Sequence, residues 1–219
     1  MDKLRMRFAK TGGAVYISHL DLMRTLTRCF LRAECRLKYS EGFNPHPQIS
    51  IALPLSVGCE SVCEIMDFKM LEDMPTEEIL KRLSVQMPEG IEVLEIYESE
   101  RKVKELKWLK ISGVFEYDER PAEEMAARLN EFFAAESIVI TKKTKRGVGE
   151  SDIRPAIKEI SFEASGADVV ICATISAQEP TLNPELIADS LRQLAPDIAP
   201  DFAKFRRLEV FDENMQAFR

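Results

Sequence analysis

No apolar run in this chain approaches the ~20 residues needed to cross a bilayer as a helix. The opening residues Met1-Asp2-Lys3-Leu4-Arg5-Met6-Arg7 go straight into charged alternation and carry no signal-peptide core. A cytoplasmic protein without a membrane partner is therefore expected. Cysteine is sparse and odd in number, at Cys29, Cys35, Cys59, Cys63 and Cys172. That argues against a disulfide framework. No CxxC pair or CxxxCxxC triplet occurs, and Cys59 with Cys63 would need a histidine to make a metal site. Small buried fillers are the expected role of these thiols, with no metal or cofactor. The G-x-S-x-G, H-E-x-x-H and Rossmann fingerprints are missing too. Gly147-Val148-Gly149 is no phosphate loop, because the lysine-serine and helix start that should follow are absent.

Histidine is scarcer still, with only His19 and His46 in 219 residues. Each sits in a polar, turn-like run: Tyr16-Ile17-Ser18-His19-Leu20-Asp21-Leu22 and Gly42-Phe43-Asn44-Pro45-His46-Pro47. An imidazole titrates near neutrality and can hydrogen-bond a ligand or carry a proton.

What is present is ordinary globular composition, 45% hydrophobic, in a length suited to two domains of about 100 residues each. The net charge of −7 hides an asymmetry. Residues 1–60 balance at +4 and residues 61–219 at −11. One basic face on an acidic protein points to an anionic partner.

Periodicity organises the first half. Residues 4–9 alternate apolar and basic side chains, as a half-buried strand does. Ser18 followed by Asp21 makes a capping-box-like start to a helix reaching about residue 34. Its buried face is Leu22, Leu26, Cys29, Phe30 and Ala33. A turn-rich connection leads to strands over 48–53 and 64–70, a helix over 77–85 capped by Thr76, and a strand over 91–97. The order β-α-β-β-α-β is the ferredoxin-like arrangement. Charged residues 99–107 mark a boundary, giving domains 1–103 and 104–219. Strands over 108–117, 137–142, 157–163, 168–175 and 204–211 follow, with helices over 121–135 and 184–194. Residues 143–152 read as a loop. The fold class expected is α+β, two tandem ferredoxin-like sandwiches.

Three clusters are candidate binding residues. Arg24, Arg28, Arg32 and Arg36 recur every four residues and cover roughly 120° of the first helix. Arg24, Arg28 and Arg32 read as an unrelieved ridge for phosphates. In the loop that follows, Lys38, Tyr39, Phe43, Asn44 and His46 combine charge, aromatic surface and hydrogen-bonding groups. Pro45 and Pro47 stiffen the backbone around His46. Stacking of Phe43 or Tyr39 on a base would suit single-stranded RNA. Further basic residues, Lys142, Lys143, Lys145, Arg146 and Arg154, could track a phosphate backbone. His19, in the first helical turn, and His46 are the candidate catalytic pair should they converge on a phosphodiester.

The two histidine motifs and Pro54-Leu55-Ser56-Val57-Gly58 together resemble the radical-SAM-linked protein family, a bacterial domain of unknown function. The resemblance covers residues 3–70 most specifically, and Asp152-Ile153-Arg154-Pro155 is a further match. It implies a free-standing or fused accessory of a cobalamin-binding radical SAM enzyme. Lacking the CxxxCxxC triplet, this chain is not itself that enzyme. The expected function is a non-catalytic accessory that binds an RNA-like anionic substrate for a radical SAM partner. The alternatives are a His19/His46 phosphodiesterase and a protein–protein adaptor whose arginine face docks an acidic enzyme.

Overall fold

The computed structural model describes residues 3–144 and 147–219 of a mixed α+β protein. The chain divides into two compact units, Met1–Val103 with Arg219, and Lys104–Phe218.

The first unit runs β1 (Leu4–Lys10), α1 (His19–Arg32), β2 (Ile49–Ile51), β3 (Glu60–Phe68), α2 (Thr76–Gln86) and β4 (Ile91–Glu98). Its strands lie antiparallel in the order β4-β1-β3-β2. Leu4, Met6 and Phe8 point to one face of β1 and meet Leu22, Leu26 and Phe30 of α1 and Ile79 and Leu83 of α2. The 3.6-residue period of α1 and the two-residue period of β1 thus bury one shared core.

The other face of β1 departs from expectation. Its basic residues are buried rather than half exposed, Arg5 at 0% and Arg7 at 8% accessible, and Lys10 at the end of the strand is buried as well, at 1%. The register explains Arg5, which lies directly across from Asp67. Its Nε donates to Asp67 Oδ1 at 2.7 Å and its Nη2 to the Arg101 carbonyl at 2.9 Å. Lys3 adds a 2.6 Å contact to the same carboxylate. Ser99 donates its N–H to the Lys3 carbonyl at 3.0 Å, so the charged segment after β4 folds back over this face. Alternation in the sequence marked the two faces of β1, but the strand lies between two covers.

The second unit runs β5 (Trp108–Glu116), α3 (Ala122–Phe133), β6 (Val139–Thr144), β7 (Gly147–Asp152), β8 (Ile157–Ser165), β9 (Asp168–Ser176), α4 (Glu185–Leu194) and β10 (Phe202–Phe211). Its main sheet is antiparallel in the order β10-β5-β9-β8, and β6 and β7 form a separate hairpin. Gly113 of β5 is obligatory, since a Cβ there would stand 2.4 Å from the Lys204 carbonyl oxygen and 2.8 Å from Ile171. Where a loop was expected over 143–152, residues 143–144 and 147–152 are strand. Thr141 accepts the pairing of Glu150, and Val139 that of Asp152. The polar, glycine-bearing sequence of β7 hid it, because an exposed strand needs no apolar face. One helix start differs: Pro75 rather than Thr76 occupies the cap of α2. At the start of α4, Asn183 Oδ1 accepts the Glu185 N–H at 3.3 Å, as a capping side chain does, and Pro184 already has helical geometry.

Candidate functional site

The start of α1 forms as its sequence dictates. Ser18 Oγ accepts the Asp21 N–H at 3.2 Å and donates to Asp21 Oδ2 at 2.7 Å. Ser18 and then Arg24 hold the Asp21 carboxyl below the usual range. Beneath the turn, the buried Lys10 amine donates to the carbonyls of Val15 at 3.2 Å and Ile17 at 3.1 Å. Burial lowers its pKa, against the opposing pull of Glu64 and Cys59. Gly58 also reaches Val15, its N–H donating at 3.0 Å. The 16–22 and 54–58 motifs thus share one end of the unit. His19 is exposed there, and its ring makes no hydrogen bond among the described residues.

The arginines are less available than their spacing implied. Arg24 pairs with Asp21 at 3.2 Å, an acid three residues back that relieves the ridge. Arg32 turns to the end of α2, donating to the Gln86 carbonyl at 2.8 Å. A guanidinium there satisfies an orphan carbonyl at the negative end of the helix dipole. Arg36 meets Glu72 at 3.3 Å. Arg28 alone of the four is exposed without such a partner among the described residues.

Residues 38–48 make a closed, displayed loop. Ser40 donates its N–H to the His46 carbonyl at 2.9 Å, and Gln48 donates its N–H to the Lys38 carbonyl at 2.8 Å. Ser40 Oγ accepts the His46 N–H at 3.1 Å and lies 2.9 Å from His46 Nδ1. That contact leaves Nε2 as the ring nitrogen open to a ligand. Gly42 takes φ +115°, a conformation that L side chains rarely adopt. Lys38, Tyr39, Phe43, Asn44 and His46 are all exposed, and Phe43 is completely so at 111%. The aromatic ring does not plug the core.

His19 and His46 sit at opposite ends of β1. Lys10, at one end, holds the Ile17 carbonyl beside His19. At the other, Leu4 pairs with Phe68, which pairs with Ile49 just beyond His46. A seven-residue strand spans ~20 Å. The convergence a two-histidine phosphodiesterase requires is missing.

Between the end of α1, residues 35–39, residues 71–74 and Arg82 of α2 lies a groove of 810 Å³. Phe30, Leu37 and Met74 line it, and the exposed Leu31, Tyr39 and Leu71 rim it. Thr27, Phe30 and Leu31 face it from α1 and Glu34 from just past its end, not Arg24, Arg28 or Arg32. The Cys35 thiol in its wall is pushed up by burial. At its edge α1 ends in a Schellman turn: Cys35 donates to the Phe30 carbonyl at 3.0 Å and Glu34 to Leu31 at 3.1 Å. The residue in the left-handed position is Glu34, with φ +57°, where glycine is usual. A side chain there costs about 1 kcal/mol. An acid at a helix C-terminus adds a few tenths. The sequence reading missed this groove; its one local signal was the lack of a glycine after Ala33.

In the second unit, Lys142 is half-buried on β6. Lys145 and Arg146 lie outside the described residues, as does the side chain of Lys143. Arg154 is committed to the backbone, donating to the Ala135 carbonyl at 3.1 Å and the Ile157 carbonyl at 2.7 Å. Asp152 accepts the Ile138 N–H at 2.9 Å and the Arg154 N–H at 3.0 Å. Those two bonds lower its pKa, and the Asp152–Pro155 motif ties the base of the β6–β7 hairpin.

No group of three or more His, Cys, Asp or Glu side chains suited to a metal occurs among the described residues. No described helix is long and apolar enough to cross a membrane.

No curated protein matches this sequence. A chain in a crystal structure of a Cbf5-Nop10-Gar1 complex is similar at 13% identity with a TM-score of 0.53. The match covers 96% of this chain but only 50% of that one, and at this identity it shows the fold alone. A crystal structure of an unknown protein from Galdieria sulphuraria matches 94% of this chain and 98% of its own, at 7% identity and a TM-score of 0.27. Residues 3–184 match the family described as "Uncharacterized protein conserved in bacteria (DUF2344)", and the chain belongs to that family.

Proposed function

We propose that this protein is a cytoplasmic binding accessory, without catalysis of its own, that holds an RNA-like anionic substrate for a radical SAM enzyme. The observation that carries the reading is the 38–48 loop, where Lys38, Tyr39, Phe43, Asn44 and His46 are exposed together on a hydrogen-bonded frame. Stacking rings, an amide, an imidazole and a cation are what unpaired bases and their phosphates require. Holding them on a stiff loop lowers the ordering cost of binding. Arg28 is the one arginine of the four without a partner among the described residues, and Arg24, Arg32 and Arg36 are paired or hydrogen-bonded within the unit. The radical SAM partner rests on the sequence resemblance alone.

We also read both units as ferredoxin-like. In each, the order of fourth, first, third and second strand supports it, with β6–β7 as an insertion in the second.

Labelled single-stranded RNA titrated onto the full chain tests the binding. Phe43→Ala is expected to weaken affinity by about 1–3 kcal/mol, the worth of one stacked base. Its melting temperature should stay unchanged. Pull-down from native lysate, with RNA sequencing and mass spectrometry, tests the partnership. Recovery of neither RNA nor a radical SAM protein removes the reading.

A further inference from the structure

The groove beside α1 shares Tyr39 with the loop and is otherwise lined by other residues. Its 810 Å³ falls within the size of ordinary ligand clefts. Its rim leaves Leu31 at 76%, Leu71 at 59% and Tyr39 at 48% exposure. Large apolar side chains gathered on a rim are a mark of an interaction site.

The charges around it are unequally satisfied. Arg36 meets Glu72 at 3.3 Å, and Arg82 donates to Glu78 at 2.7 Å. Glu34 stands 3.9 Å from the already occupied Arg82, with its side chain 86% exposed. The acid with least company is also the one in a left-handed backbone position that glycine would fill more easily. A side chain kept where it disfavours the fold points to a role at the groove.

We propose that the groove docks an amphipathic helix of a partner protein. Leucine-like side chains of that helix fill the space between Leu31 and Leu71, and a lysine or arginine pairs with Glu34. A cleft with an apolar rim and an exposed acid that shares its one arginine with Glu78 complements a basic amphipathic helix and disfavours an acidic one. This surface goes beyond the RNA-holding loop, and either can fail without the other.

The test uses the full chain, a labelled helical peptide of leucine and lysine, and its leucine–glutamate counterpart. The lysine peptide is expected to bind and the glutamate peptide not. Glu34→Gln should weaken binding about tenfold, the effect of 1.4 kcal/mol. Glu89→Gln, a control for the overall negative charge, should change nothing. Leu31→Ser should abolish binding while Phe43→Ala leaves it intact. Glu34→Gly should raise the melting temperature yet lose affinity as Glu34→Gln does. Absence of binding, equal binding of both peptides, or equal effects of Glu34→Gln and Glu89→Gln overturns the proposal. So does a lower melting temperature in Glu34→Gly. A homodimer that Leu31→Ser converts to monomer, seen by light scattering, would make a second copy the occupant and overturn it as well.

Discussion

Arg5 is fully buried in the first unit, and its neighbours decide whether that is tolerable. Asp67 faces it across the β1–β3 ladder, with Nε to Oδ1 at 2.7 Å and Nη2 to Oδ2 at 3.2 Å. Desolvating both ions is costly, so the pair is weak evidence of net stabilisation, but breaking it is another matter. Asp67→Ala strands the guanidinium and is expected to cost about 3–5 kcal/mol in urea unfolding. Arg5→Met with Asp67→Leu should come out near neutral, which separates an isolated buried charge from lost packing. Lys10 shows the same logic with carbonyls in place of a carboxylate. Its amine is a strut for the turn before α1 rather than surface charge.

Elements in this protein are closed by bonds that are distant in sequence. Tyr117, just past β5, donates its hydroxyl to the Ile198 carbonyl at 2.8 Å and so fastens the segment that follows α4. Burial pushes its pKa from 10.0 up to about 12. Above pH 10 the unfolded phenol ionises while the folded one keeps its proton, so this contribution is intact below pH 10 and lost from pH 10 to about 12. Alkaline unfolding followed by circular dichroism should show that decline. Tyr117→Phe, about 1 kcal/mol less stable at neutral pH, should show less of it. Helix α1 was the most legible element, since Ser18 and Asp21 cap it and Leu22, Leu26, Cys29 and Phe30 are buried as their spacing required. Strand β7 was the least legible, because its partner β6 fixes it and its own residues do not alternate.

For the whole molecule, the charge asymmetry needs reinterpretation. Of the nine basic residues in the first sixty, Arg5, Arg7 and Lys10 are buried, and Arg24, Arg32 and Arg36 are hydrogen-bonded or paired within the unit. Few cations remain for phosphates, with Lys38 and Arg28 foremost. Single-stranded RNA binding should therefore depend weakly on salt. Each phosphate contact contributes a slope of about −0.7 in log K against log salt, and a total near −1.5 is expected. A slope several times steeper would mean that a different, strongly basic surface does the binding.

Local pattern was enough to place the helices and every strand but β7, to tell which faces of α1 and β1 meet the core, and to find the loop that displays an aromatic ring beside two prolines. Periodicity and capping are local properties, readable without a partner. Packing, in contrast, settles which arginines are spent, sets the two histidines at opposite ends of a strand, and opens a groove beside Glu34. Those outcomes depend on what lies across from each side chain, and residues far apart in the chain supply it.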